Sequence, residues 1–194
     1  MSYSIQTQLY LTAMKEKKQR LFFALEPDKN SADYPKLRQT LSGLPRNCRP
    51  VPVDNLHLTL AFVGSVAPAV RQSLERSAAR IAPVPQFHIC LDQLGYWARS
   101  RILWLGTSSP PPALQDLASQ LRDTTAACGL PTEHRPYLPH ITLAKSVPGK
   151  PTPPVSTLPL RFHFRRFGLY ISEPAPHGGS VRYTCIADWP LAPN

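Results

Sequence analysis

The tetrapeptide His57-Leu58-Thr59-Leu60 returns as His140-Ile141-Thr142-Leu143, each copy inside an alternating apolar stretch. Successive side chains of a strand point to opposite faces, so His57 and Thr59 share one face while Leu58 and Leu60 share the other. His140 and Thr142 are arranged in the same way. Two such pairs supply two imidazoles, whose ordinary pKa near ~6.5 allows one neutral base and one protonated acid at neutral pH. Two hydroxyls beside them can donate to an oxyanion between them. The set suits cleavage of a phosphodiester without a metal.

The repetition continues outward. Arg49-Pro50 precedes the first copy and Arg135-Pro136 the second, and further upstream lie the apolar runs Leu21-Phe22-Phe23-Ala24-Leu25 and Ile102-Leu103-Trp104-Leu105. Phe22 stands 35 positions before His57, and Leu103 stands 37 before His140. Between run and motif, the spacing predicts a helix over about 31–41 in one half. In the other, Leu114, Leu117, Ala118 and Leu121 predict a helix over about 113–128, entered through Pro110-Pro111-Pro112. Each half reads strand, helix, strand bearing His-x-Thr. A divergent duplication of this kind gives two lobes facing each other across a pseudo-twofold axis.

Composition sets the outer limits. A chain of 194 residues with 42% hydrophobic content buries a substantial core, as one domain or two small lobes. Lys and Arg number 22 against 12 Asp and Glu, and the formal charge of +10 favours a polyanionic partner through steering and counterion release. Cys48, Cys90, Cys128 and Cys185 are widely spaced without a Cys-x-x-Cys pair, which argues against metal binding and for reduced thiols in a cytoplasm. No run approaches the ~20 apolar residues of a membrane span, and no secretory leader precedes the Lys cluster at 15–18. Residues 1–19 read as a loosely docked N-terminal extension, and 20–194 as a single bilobal domain.

The remaining segments place coarsely. Gly64 is expected to close the first motif strand, and Val70, Leu74, Ala78 and Ile81 mark a helix with Arg71, Arg76 and Arg80 on its solvated faces. Phe87, Ile89 and Leu91 form one face of a strand with His88 on the other. The proline-rich stretch 148–154 reads as a surface loop. Phe162, Phe164 and Phe167, then 169–171 and 181–186, read as the last strands, with His163 directed to solvent.

Asn55-Leu56-His57-Leu58-Thr59-Leu60-Ala61-Phe62-Val63-Gly64 and Arg135-Pro136-Tyr137-Leu138-Pro139-His140-Ile141-Thr142-Leu143 resemble the paired signatures of the 2H phosphoesterase superfamily. Within it the chain is most similar to bacterial RNA 2',3'-cyclic phosphodiesterases, also called 2',5' RNA ligases, from Arg20 to about Trp189. The resemblance implies an α+β fold, a bilobal pseudo-twofold duplication with antiparallel sheets lining a central cleft and helices outside. It also implies opening of a terminal RNA 2',3'-cyclic phosphate to a 2'-phosphomonoester with no metal or cofactor, and a related reversible 2',5' ligation. Its catalytic positions fall on His57, Thr59, His140 and Thr142, with His57 as acid and His140 as base by analogy.

The chemistry agrees with that assignment. Forming a 2'-phosphate breaks the bond to O3', so one imidazolium belongs near O3' and one imidazole near the attacking water. The hydroxyls of Thr59 and Thr142 would then donate to non-bridging oxygens. Arg135 is a candidate phosphate ligand and Tyr137 a candidate base platform, against the alternatives of a surface ion pair and core packing. Lys145 falls on the opposite face from His140 by strict alternation, and reaches the cleft only if the strand ends near Ala144. Trp97 and Trp104 read as packing residues. The expected partner is an RNA end or oligonucleotide, with no membrane and no obligatory protein partner, for a monomer. Two alternatives stay open: another 2H enzyme acting on small cyclic nucleotides or 2',5'-linked oligonucleotides, and a non-catalytic RNA-binding module.

Overall fold

The computed structural model describes residues 17–44, 46–133, 135–149, 159–176 and 180–193. The elements run β1 (Gln19–Leu25), α1 (Tyr34–Ser42), β2 (Arg49–Pro50), a 3-10 turn (Val53–Asn55), β3 (Leu58–Val66), α2 (Pro68–Ala78), β4 (Phe87–Leu91) and β5 (Gln93–Trp97). They continue with β6 (Ile102–Gly106), α3 (Pro112–Ala127), β7 (His140–Lys145), β8 (Leu160–Phe164), β9 (Arg166–Pro174) and β10 (Val181–Pro190). Each helix carries proline in its first turn, where the missing amide donor costs nothing. Helix α3 ends in a Schellman turn: Gly129, at φ +73°, takes the left-handed position, and Leu130 N–H donates to the Thr125 carbonyl at 3.3 Å.

Seven strands lie in the order β10-β9-β1-β3-β7-β6-β5, with β2 paired to β7 as the eighth, and β4 and β8 form a separate two-stranded ribbon. The ladders of both sheets are antiparallel. The expected duplication takes a specific form. β1 and β6 are equivalent, as are β3 and β7, and β5 closes the first half as β9 closes the second. Each closing strand pairs with the opening strand of the other half, β5 on β6 and β9 on β1. The two halves are therefore joined edge to edge through a single pair of residues in one antiparallel sheet order. They meet where Leu58 pairs with Ile141, the same position of the two motifs, so the pseudo-twofold axis passes through that rung.

One face of the sheet carries the core. Leu21, Phe23, Leu25, Leu58, Leu103, Leu105, Ile141 and Leu143 are buried there with Leu114, Leu117, Ala118 and Leu121 of α3. Complete burial of such a side chain contributes roughly 1.5–3 kcal/mol. The other face carries a smaller cluster of Phe22, Ala24 and Tyr170 with Tyr183 packed on it.

Several sequence expectations shift. The helices read over 31–41, 113–128 and 70–81 begin where proline allows and run 34–42, 112–127 and 68–78. Gly64 does not close its strand: β3 continues to Val66, with Gly64 at φ +85° beside a bulge. His163 is not directed to solvent. It is half-buried, stacked on His88 across the ribbon with ring centroids 4.2 Å apart, because paired positions on neighbouring strands share a face. Most of the proline-rich stretch and of the N-terminal extension lies outside the described residues, and β1 already begins at Gln19. No helix among the described residues is long and apolar enough to cross a membrane.

Candidate active site

The Leu58–Ile141 rung fixes the motif geometry. In an antiparallel ladder it sets His57 opposite Thr142 and Thr59 opposite His140, all four on the face away from the helices, and all four are half-buried. His57 and His140 are then diagonal neighbours on one face of the sheet, near enough for the charge of one ring to act on the other.

Each ring is oriented by the backbone two residues before it. His57 Nδ1 donates to the Asn55 carbonyl at 2.7 Å, and His140 Nδ1 donates to the Leu138 carbonyl at 2.8 Å. A carbonyl only accepts, so both Nδ1 atoms carry hydrogen and the neutral rings present Nε2 as an acceptor. In the ligand-free protein the Thr59 hydroxyl donates to His57 Nε2 at 3.0 Å. That contact holds the hydroxyl beside the basic nitrogen.

The surroundings of the two rings differ. His57 lies against Phe22 (centroids 4.9 Å) and edge-on to Tyr183 (5.1 Å), while His140 lies edge-on to Trp97 (4.7 Å) and near Trp104 (6.1 Å). Burial pushes His57 down to about 4, against the opposing pull of the Asn55 carbonyl, and the facing charges of His140 and Lys145 add to the depression. Burial also lowers His140, partly offset by the Leu138 carbonyl. The neutral form of both rings is thereby favoured.

A buried residue to which the sequence argument gave no role holds the first ring. The Asn55 side chain is 5% exposed, donates to the Val181 carbonyl at 2.6 Å and accepts from Tyr183 N–H at 3.0 Å. It ties the carbonyl under His57 to β10, and it fixes Tyr183 against the ring. A buried asparagine beside a motif gives no periodic signal in sequence.

The three peripheral candidates separate. Arg135 is exposed and ion-paired to Glu133, the surface role weighed against phosphate binding. Tyr137 is not a base platform: its ring packs against the core and its hydroxyl donates to the Thr59 carbonyl at 3.0 Å, a strut between the two motifs. Lys145 reaches the cleft face, but not because the strand ends early, since β7 includes it. Trp104 pairs with Thr142 and Leu103 with Ala144, so one extra residue of β7 forms a bulge. The alternation is thereby re-phased and Lys145 turns to the side of His140.

The same bulge occurs in the first half, where Ala24 pairs with Thr59 and Phe23 with Ala61. The residue equivalent to Lys145 is therefore Phe62, which is 60% exposed. Sequence alternation hid both residues. Arg49 of β2 pairs directly with Lys145. That pairing sets two positive charges side by side on this face. Among the described residues no three His, Cys, Asp or Glu side chains converge to hold a metal ion.

A duplicated α+β fold with one His-x-Thr pair per half, both on one face of the sheet, defines a two-histidine phosphoesterase architecture. The chain belongs to the 2'-5' RNA ligase superfamily, whose sequence profile matches residues 27–173. It is 38% identical over 173 residues to an RNA 2',3'-cyclic phosphodiesterase of Escherichia coli (strain K12), covering 89% of this chain and 97% of that protein. The crystal structure of E. coli LigT complexed with 3'-AMP is similar with a TM-score of 0.80 at 37% identity, over 90% of this chain and 99% of that one. A crystal structure from Thermus thermophilus is similar with a TM-score of 0.70 at 27% identity, over 89% of this chain and 97% of that one.

Proposed function

We propose that this protein opens a terminal RNA 2',3'-cyclic phosphate to a 2'-phosphomonoester, with His57 and His140 as the proton-transfer pair. The observation that carries it is the diagonal placement of two imidazoles across the Leu58–Ile141 rung, each with Nδ1 committed to a carbonyl and Nε2 presented as an acceptor. The kinship with phosphodiesterases named for this substrate supports the choice of substrate.

In this reading water attacks phosphorus in line with the departing O3', the base takes the water's proton and the acid delivers one to O3'. Thr59 and Thr142 donate to the non-bridging oxygens, and Arg49 with Lys145 holds the anionic charge. Phe62, exposed on the same face, offers a ring on which the terminal base stacks. His57 as acid and His140 as base remains the order given by family analogy. His57 is the more strongly depressed ring, so it gains its proton only with the phosphate anion in place. The protein acts as a monomer in the cytoplasm. Reversible 2',5' ligation is the related transesterification, with a ribose hydroxyl in place of water.

The test is incubation of an RNA ending in 2',3'-cyclic phosphate with the protein in EDTA, followed by identification of the product. A 2'-phosphate is expected, with His57→Ala and His140→Ala each lowering kcat by about 10²–10⁴. A 3'-phosphate product, or binding that survives both substitutions with no turnover by the wild type, would overturn it.

A further inference from the structure

We propose that Trp97 is a positioning residue for the reaction: seated against Trp104, it fixes the ring of His140 as Asn55 and Tyr183 fix that of His57 in the other half. This rests on the cyclic phosphodiesterase reading above.

The support begins with two glycines. Trp104 pairs with Thr142 on one side and with Gly95 on the other, and Gly106 follows it by two positions on the same face. A Cβ at Gly95 would lie 2.0 Å from the indole and one at Gly106 2.6 Å from it, so glycine at both positions is what lets the ring lie against the sheet. Trp104 is buried there. Trp97, two positions after Gly95 and on its face, packs against this indole with ring centroids 5.4 Å apart. The row ends on His140, which Trp97 meets edge-on at 4.7 Å and 76°, the shortest ring contact of either motif histidine.

The hairpin that carries Trp97 is itself tied to the strand that carries His140. Trp97 is the last residue of β5 and pairs with Ile102, the first of β6. In the turn between them Arg101 takes the left-handed φ of +53°, and its carbonyl accepts from Val147 N–H at 3.0 Å. The Tyr96 hydroxyl donates to the Val147 carbonyl at 2.9 Å. Val147 lies two positions beyond β7, so both of its backbone groups clamp the end of the hairpin to the His140 strand.

His140 depends on this support because it has less of its own. His57 is bonded at both ring nitrogens, to the Asn55 carbonyl and the Thr59 hydroxyl, and lies between Phe22 and Tyr183. His140 makes one hydrogen bond among the described residues, to the carbonyl of the exposed Leu138. A single hydrogen bond fixes one nitrogen and leaves the ring free to tilt about it. The Trp97 contact removes that freedom and thereby sets the direction of Nε2, which must come within hydrogen-bond reach of the proton it moves.

The experiment measures kcat and KM for an RNA ending in 2',3'-cyclic phosphate, with a thermal melt of each protein, in wild type, Trp97→Leu, Trp97→Phe and Trp189→Leu. Trp189 is the control, a second half-buried tryptophan on an edge strand, whose ring packs on Phe23 and Phe167. Trp97→Leu is expected to lower kcat about tenfold to a hundredfold with KM within about threefold, the mark of a misplaced group. Trp97→Phe, which keeps an aromatic ring, returns kcat to within about fivefold of wild type. Burial holds His140 below its ordinary value, so Trp97→Leu also moves the His140 limb of the kcat profile to higher pH, with the facing His57 unchanged. Trp189→Leu lowers the melting temperature and leaves kcat and its pH profile in place. An unchanged kcat in folded Trp97→Leu, a loss no larger than its unfolded fraction, or a loss confined to KM overturns the proposal. A wild type that leaves the cyclic phosphate intact sinks the parent reading and this one with it, a different outcome from a wild type that works and a Trp97→Leu variant that keeps pace.

Discussion

His57 and His140 occupy equivalent ends of equivalent strands and hang from equivalent carbonyls, yet one carbonyl belongs to a locked residue and the other to an exposed one. Asn55 is buried and tied at both ends of its amide to β10, whereas Leu138 is 46% exposed. β10 pairs with β9 at one edge of the sheet, and β5 ends the sheet on the other side with nothing added to it. The extra strand brings Tyr183 over His57, and the first imidazole is the deeper and harder to protonate of the two. A duplication thus produces an asymmetric pair by adding one strand, with both motifs left intact.

The largest test of this difference is the dependence of stability on pH. His57 has a folded pKa of about 4 against an ordinary 6.5, so the unfolded chain binds a proton that the folded one refuses between these values. Its contribution is fully present above pH 6.5 and is lost as pH falls through 4, a change of about 3 kcal/mol. Urea denaturation at about pH 7 and about pH 4.5 should show this loss, and His57→Gln should diminish it. An unchanged pH dependence in the variant would show that the ring is not buried as described.

Next comes the support beneath each ring. Asn55→Ala leaves the Val181 carbonyl and Tyr183 N–H without their partner, a cost of about 1–3 kcal/mol. It should lower kcat more than it raises KM and move the His57 limb of the pH profile, while Leu138→Ala leaves both within about twofold, since its carbonyl belongs to the backbone. Equal effects of the two would remove the asymmetry. A smaller effect is expected for Tyr137→Phe, which deletes the strut to the Thr59 carbonyl and lowers stability by about 1 kcal/mol in thermal or urea melts. The smallest is electrostatic: Lys145→Gln removes a positive charge that disfavours the imidazolium, so the His57 titration followed by NMR moves upward. A downward movement would mean that Lys145 does not face the ring.

Much of this architecture was legible in sequence because the relevant signals were periodic. The two His-x-Thr copies, the apolar runs before them and the helical spacing of Leu114, Leu117, Ala118 and Leu121 all repeat at intervals fixed by backbone geometry. What the sequence concealed was aperiodic. The bulges that turn Lys145 and Phe62 into the cleft break the very alternation by which faces are assigned. The crossing of β5 and β9 between halves depends on pairing distant strands, and Asn55 acts through contacts 126 and 128 positions away. Tyr137 was legible as aromatic, but its hydroxyl partner lies on the other motif.

The seam at Leu58–Ile141 is narrow. It is the shortest ladder among the described strands, one rung against the several that hold β1 to β3 or β6 to β7. Fewer pairs join the two halves there than hold either half together, and this line of least pairing runs between the two imidazoles.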